Sequence, residues 1–496
     1  MEGKLLLKGS FEQLSMLRTY IPGKERAFHN SNWGLLWNIA RVEALYTMAQ
    51  QGDLTIRVQS IVRYYYEAIT DLDREMHNAL PAGIRREYKT PSYFHDDPLN
   101  EFYFDIIKGS WNVRVGKQLV SWGETALRRT TDLVNPTDQR YSTSGITPFE
   151  DLKIGLWMLR TYYQSPLPGN LLFETIFVPG DFQLLRLSVP GTNWGKGKIG
   201  SPIPDNRMHM MQSTWKEEAP RRLRSISNYQ WGMRVRGQIG VVDWSLQYLD
   251  WIDWLPMGHP IRANQQVIAF MTSGGTLDHS IVHDPWLYKR SKHVGANFQW
   301  FDEKFFRGVI RGEVAYHIGQ HFNTTNVEGK MLHIPAFKFN GTVQGPYDLD
   351  QKTLLTGIKE KDVFAYALAF DRRVAWPWLM QYNKGRTFAC NVQIFQDWIL
   401  KHERALDTQR GKGDRNSTAL SLMLQFDWLD MTVMTTYTGY YDTTGTGYNC
   451  LDLFYGADDH WRFSVGSMFF YSFVSWKKEP AQFDKDCFYF KVKYEW

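Results

Sequence analysis

Cys487-Phe488-Tyr489-Phe490-Lys491-Val492-Lys493-Tyr494-Glu495-Trp496 alternates with a period of two. Phe488, Phe490, Val492, Tyr494 and Trp496 fall on one face of a strand, and Tyr489, Lys491, Lys493 and Glu495 on the other. A pattern this regular marks a sheet with one greasy and one wet side. Two architectures use such a strand: the edge of a soluble sandwich, and the wall of a barrel whose outside faces lipid. The rest of the chain separates them.

The chain has 496 residues, 43% hydrophobic and 15% aromatic, with 20 Trp, 26 Tyr and 30 Phe. Its mean hydropathy is −0.42, so the average residue is polar despite the aromatic load. No stretch reaches the ~18 consecutive apolar residues of a membrane helix, whereas a barrel strand needs only ~9–11 residues of alternating character. The net charge of +5 is spread without long runs, too diffuse for a nucleic-acid footprint. Cys390, Cys450 and Cys487 lie far apart, with no Cys-x-x-Cys and hence no haem attachment or zinc knuckle. They read as small packed side chains.

The connections decide the architecture. Alternating segments run over 4–16, 35–48, 54–66, 99–107, 111–121, 152–162, 171–178, 228–237, 241–253, 292–300, 304–318, 363–372, 387–400, 417–428, 431–441, 448–455, 461–473 and 487–496. Between them, long and short connections alternate. Outer-membrane barrels have short periplasmic turns and longer extracellular loops, and an even strand number returns both termini to the short-turn side. A sandwich has no reason to keep that rhythm. The faces agree: in 417–428, Leu420, Leu422, Leu424 and Phe426 alternate with Ser421, Met423, Gln425 and Asp427. Trp111, Trp300, Trp428, Trp461 and Trp496 gather beside short turns, as an interfacial girdle requires. The sequence therefore predicts an all-β fold: a single transmembrane antiparallel outer-membrane β-barrel over 1–496, about 18 strands, with long loops at 123–150 and 179–226. A soluble terminus normally frays, whereas Phe488, Phe490, Val492, Tyr494 and the terminal Trp496 resemble the sorting signal of bacterial outer-membrane barrels and are the expected barrel-assembly signal. Such a protein needs a secretory leader. Met1-Glu2-Gly3 leads directly into Lys4-Leu5-Leu6-Leu7, so the leader is taken as already removed.

One segment carries a family resemblance. It reads Val113-Arg114-Val115-Gly116-Lys117-Gln118-Leu119-Val120-Ser121-Trp122-Gly123-Glu124, then Asp132-Leu133-Val134-Asn135-Pro136-Thr137-Asp138, then Asp151-Leu152-Lys153-Ile154-Gly155-Leu156-Trp157-Met158-Leu159-Arg160. This resembles a family of Gram-negative outer-membrane barrels with a strand reading R-x-G-R/K-Q-x-x-x-W-G-E followed by N-P-x-D. Its members are often encoded beside RND-type permeases and periplasmic lipid-carrier-like proteins. The resemblance implies a compartment and a role in moving hydrophobic molecules, and it leaves the substrate open.

From the residues themselves, Gly116 permits a bend, and Arg114 and Gln118 share a face. Two readings of 123–150 stand side by side. The segment folds into the lumen as a constriction lined by Glu124, Arg128, Arg129, Asp132 and Asp138, or it is an anchor that caps the barrel. Inward faces also carry Arg234 and Arg236, then Arg307, Arg311 and Glu313, then Lys491 and Lys493. A basic lumen would attract anions; the plainer alternative pairs these charges with Glu43, Asp105 and Asp243.

Other motifs fall away. Gly195-Lys196-Gly197-Lys198-Ile199-Gly200 runs into Ser201-Pro202-Ile203-Pro204, which cannot open the helix of a dinucleotide site. Met208-His209-Met210-Met211 lacks a second cluster for copper. Asp458-Asp459-His460 sits on a short turn. No cofactor, metal or catalysis is expected. The expected function is a channel moving hydrophobic or lipidic molecules with an RND-type export system. Its alternatives are a passive porin for small anions or an anionic polymer, and the barrel sheath of a porin–cytochrome electron conduit. Expected partners are outer-membrane lipids and lipopolysaccharide, the barrel-assembly machinery, and either an RND-type permease with its periplasmic carrier or a multihaem cytochrome, with no nucleic acid.

Overall fold

A computed structural model describes residues 3–19, 33–68, 98–125, 129–138, 146, 149–180, 225–254, 257–258, 260–261, 286–325, 331–334, 337–339, 342–344, 347–350, 355–375, 377, 387–407, 415–443, 446–472 and 486–496. Eighteen long strands make one wall. They are β1 (Leu5–Arg18), β2 (Trp33–Gln51), β3 (Leu54–Glu67), β4 (Leu99–Lys108), β5 (Trp111–Gln118), β6 (Leu156–Gln164), β7 (Leu172–Val178), β8 (Gln230–Ile239) and β9 (Val242–Ile252). The second half holds β10 (Arg290–Asp302), β11 (Gly308–Thr325), β12 (Leu355–Val374), β13 (Phe388–Ile399), β14 (Asn416–Trp428), β15 (Val433–Asp442), β16 (Thr446–Gly456), β17 (Trp461–Ser472) and β18 (Cys487–Glu495). Each strand pairs antiparallel with the next, and β18 pairs with β1 from Ser10↔Glu495 to Arg18↔Cys487, so the sheet closes on itself. A further two-residue strand, Leu406–Asp407, adds to β11 at the rim through Asn323 and Thr324. Nearby, Lys359 and Lys361 bond to the Glu403 carboxylate and hold it down to about 2.

The period-two pattern is inverted relative to a soluble protein. Outward residues such as Val115, Leu246, Val314, Leu368, Leu420, Val465 and Phe490 are exposed, whereas inward Asp105, Glu174, Gln247, Asn297, Gln393 and Ser421 are buried. Closure leaves no unpaired strand edge, and an apolar belt outside a polar interior is the solution a bilayer demands of a β-structure. The protein is therefore an outer-membrane barrel. Among the described residues no helix is long and apolar enough to cross a membrane.

The long–short rhythm holds with two exceptions. On the long-loop side only residues 443–445 separate β15 from β16 in sequence, and on the short-turn side residues 375–387 separate β12 from β13. Aromatic rings cluster at the short-turn rim: Trp111 on Tyr163 with centroids 4.6 Å apart, and Trp461 on Tyr494 at 4.8 Å. The terminal strand lies as its alternation predicts, with Phe488, Phe490 and Trp496 outward and Tyr489 inward, donating to Asp452 at 2.5 Å. At the seam, Gly9 and Trp496 exchange backbone hydrogen bonds of 3.2 and 3.0 Å.

Some boundaries differ from expectation. β11 begins at Gly308 instead of Lys304, because Asp302 accepts from the Phe305 and Phe306 N–H groups and caps a turn there. Arg307, at φ 49°, belongs to that turn and not to the inward face of the strand. β5 stops at Gln118 instead of Ser121. Two residues before that end, Gly116 has φ 139°, and a side chain there would meet the Phe102 carbonyl.

Cys450, Met468 and Cys487 form one row across β16, β17 and β18. Two strand spacings put the cysteine Cα atoms about 9.6 Å apart, beyond the ~7 Å reach of a disulfide. All three cysteines are free thiols. Thiol titration of the denatured, unreduced protein is expected to find three reactive groups; fewer would mean that the strand register is wrong.

Candidate functional site

The chain that leaves the wall after β5 folds into the barrel and is stitched there at many points. Asn135 does the first stitching. Its Oδ1 accepts from Val120 N at 2.7 Å, and its Nδ2 donates to the Gln118 and Ile154 carbonyls at 3.2 and 2.8 Å. Pro136 then offers its carbonyl to Ile154 N, and Asp138 N donates to Leu152 O. The loop thus returns antiparallel to itself before β6 begins.

Asp132 makes the second stitch. Its side chain is fully buried and accepts from Lys153 Nζ at 2.6 Å, Arg129 Nη1 at 3.0 Å, Ser121 Oγ and the Trp122 amide. Lys153 also donates to Val120 O at 3.0 Å. A buried carboxylate with two cations and a backbone donor is paired well enough to be stable. Around this network Val120, Trp122 and Val134 pack on inward Leu156, Met158, Ile176 and Leu249 of β6, β7 and β9. The insert therefore has its own small core against the wall.

The third stitch reaches furthest. Glu313 on β11 is 0% exposed. Its Oε1 accepts from Glu124 N, Thr125 N and Thr125 Oγ1, each at 2.7 Å. Its Oε2 accepts from Thr130 N, Thr130 Oγ1, Thr131 N and Thr131 Oγ1 at 2.8–3.1 Å. Neighbouring strands add Asn297 Nδ2 to Trp122 O at 2.5 Å and Gln247 Nε2 to Thr131 O at 2.7 Å. On the opposite flank Arg63 of β3 donates to the Asp151 carbonyl at 2.9 Å.

Between this insert and the short-turn rim, the inner wall of β3–β8 is basic and aromatic. Arg57, Asp105, Arg114 and Arg160 stand in one cross-strand row. The Arg114 guanidinium lies 5.0 Å from the Tyr103 ring centroid and 5.7 Å from that of Tyr162, and Arg160 lies 4.8 Å from the Tyr162 ring. Rings and guanidinia thus alternate along the wall, a favourable quadrupole–cation arrangement. Arg114 Nε bonds Asp105 at 2.9 Å, and Arg160 Nε bonds Glu174 at 2.8 Å. Arg57 and Arg236 are exposed on the inward face.

The sequence-predicted residues separate into two groups. Arg114 and Arg236 face the lumen below the insert. Gln118, Asp132, Glu313 and Arg234 do not line it: their side chains are buried, Gln118 donating to the Met158 carbonyl and Arg234 to Glu124 at 3.1 Å. Arg129 is turned back onto the loop by its bonds to Thr125 O and Asp132. Arg311 pairs with Asp371 at 2.6 Å, and Lys493 with Glu495 at 2.7 Å, while Lys491 stands inward near Glu12. Of the acids considered as partners, Asp105 holds Arg114 and Glu43 holds Arg41 at 2.6 Å. Arg128, most of 139–150, residues 181–224 and the Gly195 and Met208 motifs lie outside the described residues. At the β16–β17 turn, the Trp461 and His460 amides hold the Asp458 carboxyl below its usual range. This is a capped turn and not a catalytic pair. Sequence reasoning missed Arg57, Tyr103, Lys153, Arg160, Tyr162 and Glu174, although inward parity on the predicted strands would have found all of these but Lys153.

The family described as "Protein of unknown function (DUF1302)" matches residues 50–495. The chain belongs to the DUF1302 family. A search of curated proteins finds no match. Among solved structures, this DUF1302 member is similar to a BenF-like porin from Pseudomonas fluorescens Pf-5, at 6% identity and TM-score 0.48, covering 100% of this chain and 98% of that one. It is similar to Acinetobacter baumannii OccAB1 at 8% identity and TM-score 0.47, covering 99% and 95%. It is also similar to Pseudomonas aeruginosa OccK11 at 8% and 0.45, covering 100% and 97%. The closed ladder and its outward apolar belt make this chain an outer-membrane barrel.

Proposed function

We propose that the protein is a loop-narrowed outer-membrane channel that passes anionic solutes. The observation that carries this reading is the arginine–tyrosine wall, with Arg57, Arg114 and Arg236 turned to the lumen below the insert. Asp105 pairs Arg114, which leaves Arg57 and Arg236 as the guanidinia in excess. Within a low-dielectric wall such an excess raises the local concentration of anions, and the planar forks suit carboxylate and phosphate groups. Replacing Arg57, Arg114 and Arg236 together by glutamine is expected to leave a folded, conducting barrel whose reversal potential across a salt gradient moves toward the cation side. An unchanged reversal potential would remove the anion reading and leave the pore.

A second reading keeps the hydrophobic or lipidic cargo and the RND-type partner that the family resemblance implies. It is favoured by Leu14, Met16, Leu35, Trp37 and Met468, which form an apolar cluster on the inner face of β1, β2 and β17, where barrel interiors are ordinarily polar. Copurified lipid in a non-conducting barrel would support it. The insert pinned across the interior argues against a cytochrome sheath, which needs an open lumen.

A further inference from the structure

We propose that Glu313 is the positioning residue of the constriction: it fixes where the insert stands in the lumen, and so sets the pore's size without touching the permeating solute. The inference rests on the channel reading above. Glu313 is a buried carboxylate whose bonded partners in the insert are all neutral, backbone N–H groups from Glu124, Thr125, Thr130 and Thr131 and the three threonine hydroxyls. Converging backbone N–H groups form an anion nest, and charge-assisted hydrogen bonds are roughly twice as strong as neutral ones. The two carboxylate oxygens take different parts of the loop, 124–125 on one and 130–131 on the other, so one side chain fixes both arms of the insert. The neighbouring ties from Asn297 and Gln247 are neutral, single bonds. An amide at this position would keep one acceptor and turn an NH₂ group toward the donors that the second oxygen now satisfies. With 0% exposure, Glu313 offers no surface to an ion in transit.

The test compares the full-length Glu313→Gln and Asp458→Asn proteins in planar bilayers. Each removes one carboxylate, but Asp458 caps the β16–β17 turn and bonds neither the insert nor an inward arginine. The Gln variant is expected to show a raised unitary conductance with open-channel flicker, and the Asn variant the wild-type step. A wild-type step and noise in Glu313→Gln would overturn the proposal, as would an equal rise in both variants. If Glu313→Gln does not fold, the Thr130→Val, Thr131→Val double variant carries the test. It keeps the carboxylate and removes two donors, so flicker to a larger step is expected and an unchanged trace overturns the idea. Failure of the channel reading is separate: it would show as no current from the wild-type barrel.

Discussion

Replacing Asp132 with alanine is expected to free the insert while leaving the barrel closed. Lys153 is only 2% exposed and its ammonium lies 2.6 Å from the Asp132 carboxylate. Removing the acid takes away the carboxylate that neutralises this ammonium beside an apolar core, and breaking one side of a buried pair costs about 3–5 kcal/mol. The loss falls on the insert, because none of the eighteen wall ladders includes residue 132. Trypsin reports it directly. In the wild type, Arg129 and Lys153 are held in the network; in Asp132→Ala, cleavage there should become rapid while the protein still shows the heat-shifted migration of an intact barrel. Cleavage as slow as in the wild type would mean that Asp132 is not what holds the loop. Asp132→Asn keeps the shape but loses the charge, and should fall between the two.

The second large effect is expected at the seam. A Cβ built at Gly9 would lie 1.9 Å from the Trp496 ring, so the indole lies directly over the bare backbone of β1. An aromatic ring covering a cross-strand glycine is a known way to pin register. Gly9→Val must push the indole off the strand on which β18 closes the barrel, and overpacking of this kind costs about 1–3 kcal/mol before any loss of register. The expected outcome is a sharply lower fraction of heat-modifiable protein after refolding. The same substitution at Gly52, a turn glycine with open space around its Cβ position, tests backbone strain alone. Equal refolding yields for the two variants would show that the Trp496–Gly9 contact is incidental.

The barrel was legible because its signal is repeated. Period-two alternation and the long–short rhythm recur along the whole chain, so errors at Gly116 or Lys304 shift a boundary without touching the topology. Those errors have a local cause: a glycine at positive φ lies two residues before the end of β5, and an aspartate-capped turn delays the start of β11, neither of which shows in the hydrophobic alternation. The insert was legible as a segment but not as a mechanism. Arg129 and Asp132 look like lining charges in sequence, and only the proximity of Lys153 and Ser121 shows that they are consumed internally. Glu313 was placed on the inward face, but its partners lie 182 to 189 residues away in sequence, and no local pattern announces a contact of that range. The arginine–tyrosine wall was missed for a related reason. Arg114, Tyr103, Tyr162 and Arg160 sit on three different strands, and only register brings them into one stack.

The most direct measurement is the single-channel behaviour of the refolded, heat-modifiable wild-type protein in a planar bilayer, with the reversal potential read across a salt gradient. A loop-narrowed channel with a basic wall predicts steady, small conductance steps and a reversal potential on the anion side. A folded barrel that passes no current, or one that prefers cations, would contradict it.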